Sequence, residues 1–401
     1  MSRRLLYLDG YTVADPKTGV PSSDAIGYGV TASSAIRDGL AALGFDLRLP
    51  RVDSCGSSGS QPADRLVWLL ANYRGVLAAL IEDRPDVIFS FHAFSTFPLE
   101  IRRMALDLGL SIPLVGYTHG SHWDPTDASR FENYPGMEMV DLANLHVLDR
   151  VLLVSDYMRS TLLTNIGALN TTLARQLDAK TVVVGLPLDV TRIDRCRTGS
   201  VLPRPTVVFN HSPVSSKNPA LFAQVMARVL PRYDAAVLIT RNFLPHHAGG
   251  TAIAELADRF PEQVVLGRDM PLDDYYAALW AADLQVSTAT HESLGVSTLE
   301  AMYTGNCCIL PRLGSYPEIC HDHPDVLYDY GAGPLEERLR YFLDNPERRR
   351  AVAAELRAMT AAHHPAAVVG KIAAVLADVL PADGPATRRP QLDERRCDPT
   401  P

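Results

Sequence analysis

The chain alternates short runs of β-branched and other apolar residues with longer stretches whose apolar positions recur every three or four residues. Short apolar runs bounded by turn residues read as buried strands, and the three–four spacing reads as helix. In the first half the strand candidates are LLYLD (5–9), FDLRL (45–49), DVIFS (86–90), PLVGY (113–117), RVLLVS (150–155) and TVVVG (181–185). Between them lie helical patterns such as ADRLVWLLANYRGVLAALIE (63–82). A charged loop closed by prolines, DVTRIDRCRTGSVLPRPT (189–206), interrupts the series. The pattern then starts over with TVVFN (206–210), AAVLIT (235–240), QVVLG (263–267), DLQVS (283–287), NCCILP (306–311) and DVLYD (325–329). PALFAQVMARVL, PLDDYYAALWAA and GVSTLEAMYTG are the helices between these strands.

Strand–helix alternation of this kind builds parallel sheets covered by helices. The layout predicts an α/β chain of two Rossmann-like domains, 1–190 and 191–365, hinged near 190–205. A strongly apolar stretch, AAVVGKIAAVLADVL, predicts a helix over 366–381 that docks on the body of the protein. The last segment, 382–401, is rich in proline and charge without apolar periodicity and predicts disorder. DSCGSSGSQP (53–62) reads as a mobile polar loop.

Composition narrows the class. A chain of 401 residues is too long for one ordinary core, in line with two domains. The formal charge of −8 argues against a broad phosphate-backbone footprint. No apolar run reaches the ~18 residues of a membrane span, and Asp9 breaks the first run before it could act as a signal sequence. The 6 cysteines form no CxxC pair and no regular framework, which predicts free thiols in a reducing cytoplasm.

Candidate chemistry concentrates in HESLGVSTLEAM (291–302). In open α/β sheets ligands sit outside the carboxyl ends of the strands, and Glu292 lies just beyond DLQVS. Gly295 opens the next helix, whose free amides and dipole favour an anion. Glu300 sits about one and a half turns in. Taken alone, this spacing suits an acid–base pair, a metal site, a grip on hydroxyls, or merely a cap and a solvated helix residue. Elsewhere Gly27-Tyr28-Gly29 precedes the helical VTASSAIRDGLAAL, a layout that brings backbone amides to a phosphate or sugar. No GxGxxG or GxxxxGK[ST] occurs, which lowers dinucleotide and P-loop readings. The histidine pairs at 246–247 and 363–364 complete no ligand set with the cysteines.

With its surroundings the stretch becomes specific. GRDMPLDDYYAALWAADLQVSTATHESLGVSTLEAMYTGNCCILP (267–311) resembles the donor-nucleotide region of the family 4 retaining glycosyltransferases, which have the GT-B fold. Gly267, Asp283, Glu292, Gly295, Glu300, Ala301, Met302 and Gly305 fall in register with the family pattern. VVGLPLDVTRI (183–193) is similar to the segment that closes the family's first domain, and RVLLVSDYMRSTLL (150–163) to an earlier strand and helix. TVVFNHSPVSSKNPALFAQVM (206–226) resembles the opening of the second domain, where a lysine and an arginine clamp the diphosphate. The resemblance covers 145–330 in its motifs and the first domain only in layout. Within the family, NHSPVSSKNP and VSTATHESLGVSTLEAMYTG look most like the queuosine-tRNA mannosyltransferase-like group.

The resemblance implies two Rossmann-like domains facing across a cleft. It implies that Glu300 holds the donor ribose hydroxyls. Glu292, with the backbone of Ser293, Leu294 and Gly295, would contact the transferred sugar and the pyrophosphate. Lys217 matches the clamp lysine; Ser212 or Pro213 stands where the arginine is expected, and Arg241 at the end of the next strand is placed to supply the charge. His119, in YTHGSHWDP after PLVGY, matches a turn at which relatives carry a histidine beside the transferred sugar. His122 and Asp124 are weaker candidates for the acceptor, and a loop histidine bonded to backbone is the plainer role for His122. Gly27 and Gly29 are the backbone candidates of the first domain. The expectation is a cytoplasmic, retaining hexosyltransferase that uses a nucleotide-sugar co-substrate and no cofactor, with no metal requirement. A small-molecule hydroxyl or amine acceptor is favoured over tRNA by the acidic balance. The alternatives are a queuosine-tRNA mannosyltransferase-like enzyme using GDP-mannose, a sugar-nucleotide epimerase, and a nucleotide-sugar-binding protein without catalysis.

Overall fold

The computed structural model describes residues 3–9, 28–50, 62–91, 98–127, 136–199 and 202–380. The loop 53–62 lies outside these residues except for Pro62, which begins a helix; so does the segment 382–401.

Two parallel sheets organise the chain. The first comprises β1 (Arg4–Leu8), β2 (Asp46–Arg48), β3 (Val87–Ser90), β4 (Leu114–Thr118), β5 (Arg150–Leu153) and β6 (Thr181–Val183), in the order β2-β1-β3-β4-β5-β6. The second comprises β7 (Thr206–Phe209), β8 (Ala236–Ile239), β9 (Val264–Leu266), β10 (Leu284–Val286), β11 (Cys307–Pro311) and β12 (Leu327–Tyr328), in the order β12-β11-β10-β7-β8-β9. Each strand expected from the apolar runs is present; β1 and β4 keep their expected length but start one residue earlier and one later, and the others are shorter than their runs. The central strands are mostly apolar because helices cover both faces: β3, β4, β7 and β11 are buried at every position, with Ser90, Thr118 and Thr206 the polar residues at their ends.

In each sheet the strand order reverses once, between β1 and β3 and between β7 and β10. Such a reversal opens a crevice at the carboxyl ends of the two strands, since their crossover helices leave on opposite faces. The second reversal positions the candidate site.

Between the sheets the chain passes through the short helix Val190–Arg195, N-capped by the Asp189 side chain on Arg192 N. After the second sheet it returns to the first. Leu188 N donates to His363 O at 3.0 Å, and the helix Pro365–Val379 lies against the helix Tyr28–Ala42. The partner of this final helix is the helix Tyr28–Ala42, which belongs to the first sheet's side of the chain. Gly39 makes the close approach: a Cβ there would lie 2.8 Å from Val369 Cγ2. Arg150 Nη2 ties the far end to Asp378 Oδ2 at 2.7 Å. Gly39→Leu should push the two helices apart and lower stability by about 1–3 kcal/mol, as overpacking does. The urea unfolding midpoint measures it; an unchanged midpoint would show that the helix contact contributes nothing.

Candidate active site

Chain leaving β7 and β10 lines one crevice. Past β7 come Asn210, His211 and the turn Ser215–Lys217; past β10 come residues 287–294 and the helix Val296–Tyr303. Gly295 caps that helix at φ 85° and ψ 54°, in the left-handed region. A Cβ at 295 would also lie 3.2 Å from Tyr316 Cε1 and 3.3 Å from Glu292 Cγ, so both dihedral and space call for glycine. Thr298 N and Leu299 N bond back to Gly295 O. The amides of Val296 and Ser297 are the first-turn donors without intrahelical acceptors.

Glu292 and Lys217 meet across the crevice. Lys217 Nζ donates to Glu292 Oε2 at 2.7 Å and to His291 O at 3.1 Å. Tyr316 OH donates to the same carboxylate oxygen at 3.4 Å. The backbone of Glu292 is gripped by the loop after β11: Ser315 N donates to Glu292 O at 3.1 Å, and Gly314 (φ 58°) packs so closely that a Cβ would lie 2.7 Å from that oxygen. Burial acts to raise the Glu292 pKa, but the charge and hydrogen bond of Lys217 outweigh it and hold the carboxyl below its usual value.

Glu300 faces sideways to the helix Leu272–Ala281. Tyr275 OH donates to its Oε2 at 2.7 Å and Tyr276 OH to its Oε1 at 3.1 Å. Burial raises the Glu300 pKa, against the pull of the two phenols and of Arg241. The Arg241 guanidinium carbon lies 5.1 Å from the centre of the Tyr275 ring, and its Nε is buried without a hydrogen-bond partner among the described residues. His211 is buried deeper, and its pKa is pushed down to about 3 by burial, then by Lys217 and Arg241, so the ring is neutral. Asn210 joins the two ends of the crevice, donating to Ser297 O at 2.8 Å and to Tyr275 OH at 3.1 Å.

The first domain closes the crevice from the other side. His119, directly after β4, is buried beside the Phe91 ring at 6.5 Å between centroids. The segment that follows reaches the second domain: Thr126 Oγ1 is 2.9 Å from His291 Nδ1, with Asp124 Oδ2 at 3.4 Å from the same nitrogen and Asp127 Oδ2 3.6 Å from Nε2. Ser155 Oγ donates to Ser293 O at 2.5 Å, and Glu318 accepts from the amides of Asp156 and Tyr157, both at 2.9 Å. His122 is tied to buried Asp141 through both its backbone N, 2.8 Å from Oδ2, and its ring Nδ1, 2.9 Å from the same oxygen; the partner is a side-chain carboxylate and not the backbone group of the plainer expectation.

Lys217, Arg241, Glu292, Ser293, Gly295 and Glu300 are thus brought together at one crevice. Leu294 is there only through its backbone, because its side chain is buried in the core at 3% exposure. Gly27 lies outside the described residues. Gly29 lies inside the helix Tyr28–Ala42 instead of before it, since the helix begins two residues earlier than the apolar pattern suggests. Asn210, His211, Tyr275, Tyr276 and His291 were not among the residues expected from sequence. The polar pair at 210–211 had a legible signal, because it leaves β7 as Glu292 leaves the end of β10. Tyr275 and Tyr276 had none, for adjacent helical residues diverge by about 100° and nothing local says both reach one carboxylate.

Comparison with known proteins agrees with this geometry. Residues 223–373 match the family model described as glycosyl transferase-like. Among solved structures, sucrose-phosphate synthase from Thermosynechococcus elongatus is similar at a TM-score of 0.70 and 15% identity, over 94% of this chain and 99% of that one. The trehalose-6-phosphate synthase OtsA is similar at a TM-score of 0.68 and 11% identity, over 95% of this chain and 100% of that one. Anabaena HepE, in complex with UDP and glucose, is similar at a TM-score of 0.61 and 15% identity, over 94% and 100%. The fold is GT-B: two parallel six-stranded sheets with covering helices, facing across a crevice.

The Glu292–Lys217 pair has a pH signature. A carboxyl held below its unfolded pKa adds stability above that value and loses it as pH falls through the folded one. In Lys217→Met the largest influence that lowers the pKa is gone and burial outweighs the long Tyr316 hydrogen bond, so the Glu292 charge becomes a liability at neutral pH that protonation relieves. The variant should be less stable than wild type by about 1.5–3 kcal/mol at pH 7, with the gap narrowing toward about pH 4. Urea unfolding at both pH values measures the gap; one that stays constant with pH would remove the ion pair as its source.

Proposed function

We propose that this chain is a retaining glycosyltransferase that moves a sugar from a nucleotide-sugar donor to a hydroxyl or amine of a small-molecule acceptor. The observation that carries the proposal is the meeting of Lys217, Arg241, Glu292 and Glu300 around the N-terminus of the helix Val296–Tyr303, at the strand reversal. That HepE, of the same fold, is seen with UDP and glucose supports a nucleotide-bound sugar as donor.

In this reading the amides of Val296 and Ser297, Lys217 and Arg241 receive the departing diphosphate. Positive groups and amides already fixed in place stabilise the charge that grows on the leaving phosphate as the glycosidic bond breaks, with no reorganisation at that moment. Glu300 receives the ribose hydroxyls: each of its oxygens accepts one phenol, and a carboxylate has about four acceptor sites, so capacity remains. Glu292 orients the sugar hydroxyls. Its hydrogen bond to Lys217 fits an orienting group better than a free nucleophile. Ser293, Leu294 and Gly295 act through their backbone, and His119 contacts the transferred sugar from the first domain. Closing the domains would exclude water that would otherwise hydrolyse the donor.

The reaction needs no divalent cation in this reading, and the cytoplasm is the compartment, where the buried thiols of Cys307, Cys308 and Cys320 stay reduced. No helix among the described residues is long and apolar enough to cross a membrane. A tRNA acceptor is the alternative; the charge of −8 counts against it.

A thermal-shift and calorimetric screen against UDP-, GDP- and ADP-sugars, followed by product analysis with an acceptor panel, tests the proposal. One donor should bind and yield an α- or β-linked product of unchanged anomeric configuration. Binding with no turnover on any acceptor would leave a binding protein instead. Glu300→Gln should weaken that donor about tenfold, since the amide loses acceptor capacity for charge-assisted bonds; unaltered affinity would remove Glu300 from the ribose. Excess EDTA should leave the rate unchanged, and a rate restored only by added Mg2+ or Mn2+ would overturn the metal-free reading.

A further inference from the structure

His211 sits in this crevice without a part in the reaction as drawn so far. It is buried at 2% exposure, with Nε2 3.3 Å from Gln285 Nε2 and Nδ1 3.3 Å from Ser297 Oγ. Which nitrogen carries its proton follows from an atom that has no choice. The backbone carbonyl of Ser297 only accepts, and an amide end of Asn210 lies 2.8 Å from it, so that end is the nitrogen. The Asn210 oxygen is then the atom facing Gln285, at 3.3 Å. An oxygen there requires the amide nitrogen of Gln285, whose second hydrogen points to His211 Nε2. Nε2 therefore presents its lone pair, the neutral ring carries its hydrogen on Nδ1, and Nδ1–H donates to Ser297 Oγ.

A hydroxyl that accepts from one side keeps its own O–H for another acceptor. Ser297 is the second residue of the helix Val296–Tyr303, so its hydroxyl and the free amides of the first turn lie at the same helix end. Gln285 reaches this chain from β10 and Asn210 and His211 from β7; the pairing of Gln285 with Val208 fixes their relative height.

We propose that His211 is a positioning residue, and that the Gln285–His211–Ser297 chain commits the Ser297 hydroxyl to donate to the diphosphate of the nucleotide-sugar. The inference rests on the glycosyltransferase reading of the same site. Burial, Lys217 and Arg241 keep the ring neutral against the opposite pull of Glu292. Neutrality matters: an imidazolium would turn an N–H toward the Gln285 amide hydrogens and break the chain. His211 thus supplies orientation, while Lys217 and Arg241 supply charge.

Two measurements on the full chain test this. Nitrogen–proton correlation spectra of histidine-labelled protein should show His211 as the neutral Nδ1–H tautomer from pH 5 to 8; an Nε2–H tautomer or an imidazolium in that range overturns the chain. Calorimetry with UDP, GDP and ADP against their nucleosides reads the consequence. Ser297→Ala should weaken the bound nucleoside diphosphate about tenfold, the worth of one hydrogen bond to a charged group, and leave nucleoside affinity unchanged. His211→Phe should do the same, and the double variant should lose no more than either single one. Additive losses, equal loss for the nucleoside, or an unaltered diphosphate affinity each overturn the inference. If His211→Phe fails to fold, the tautomer and Ser297→Ala still decide. Wild-type protein that binds none of the three diphosphates overturns the glycosyltransferase reading and this inference together; binding that Ser297→Ala leaves intact overturns this inference alone.

Discussion

The pairing of β10 with β7 is the constraint from which the candidate site follows. These strands are far apart in sequence and carry crossover helices on opposite faces, so their carboxyl ends cannot be roofed by one connection. The register sets Leu284 beside Val207 and Gln285 beside Val208. That alignment lifts Asn210 and His211 to the height of the loop 287–294 and turns the helix Val296–Tyr303 end-on to the crevice. A shift of one residue would reverse which face each side chain meets, and the Asn210 bridge between Ser297 and Tyr275 would be lost.

Charge at this crevice is balanced by position. Lys217 and Glu292 neutralise each other across the gap, while Glu300 is answered by two phenols and by Arg241 nearby. Removing carboxylates from water is costly, and each is repaid by a different device: a cation for Glu292, neutral donors for Glu300. The environments push the two carboxyls in opposite directions, Glu292 down and Glu300 up. Two glutamates eight positions apart thereby acquire different chemistry without any difference in side chain.

The two domains meet beside the same residues. His291 enters a polar notch made by Asp124, Thr126 and Asp127, Ser155 holds the carbonyl of Ser293, and Glu318 caps the helix Asp156–Leu169 from across the boundary. His291 and Ser293 flank Glu292, so contact with the first domain is transmitted to the carboxylate through its immediate chain neighbours. The final helix returns to the first domain, so among the described residues the chain passes between the two bodies at 188–195 and again at 363–365.

Much of this was legible in the amino-acid order alone. The apolar runs marked each strand, because strands covered by helices on both faces must be mostly apolar. The glycine at 295 and the carboxylates at 292 and 300 marked the candidate site, because a turn into a helix at a strand exit has few chemical solutions. Helix starts were less legible: Gly29 falls inside its helix, since Tyr28 and Gly29 carry no apolar signal that would show the first turn. Only the tertiary structure decided that Tyr275 and Tyr276 both serve Glu300, that Lys217 rather than solvent meets Glu292, and that His211 leans on Ser297. Those are contacts between segments tens of residues apart. They depend on strand order and register, which local patterns of apolar and polar residues do not encode.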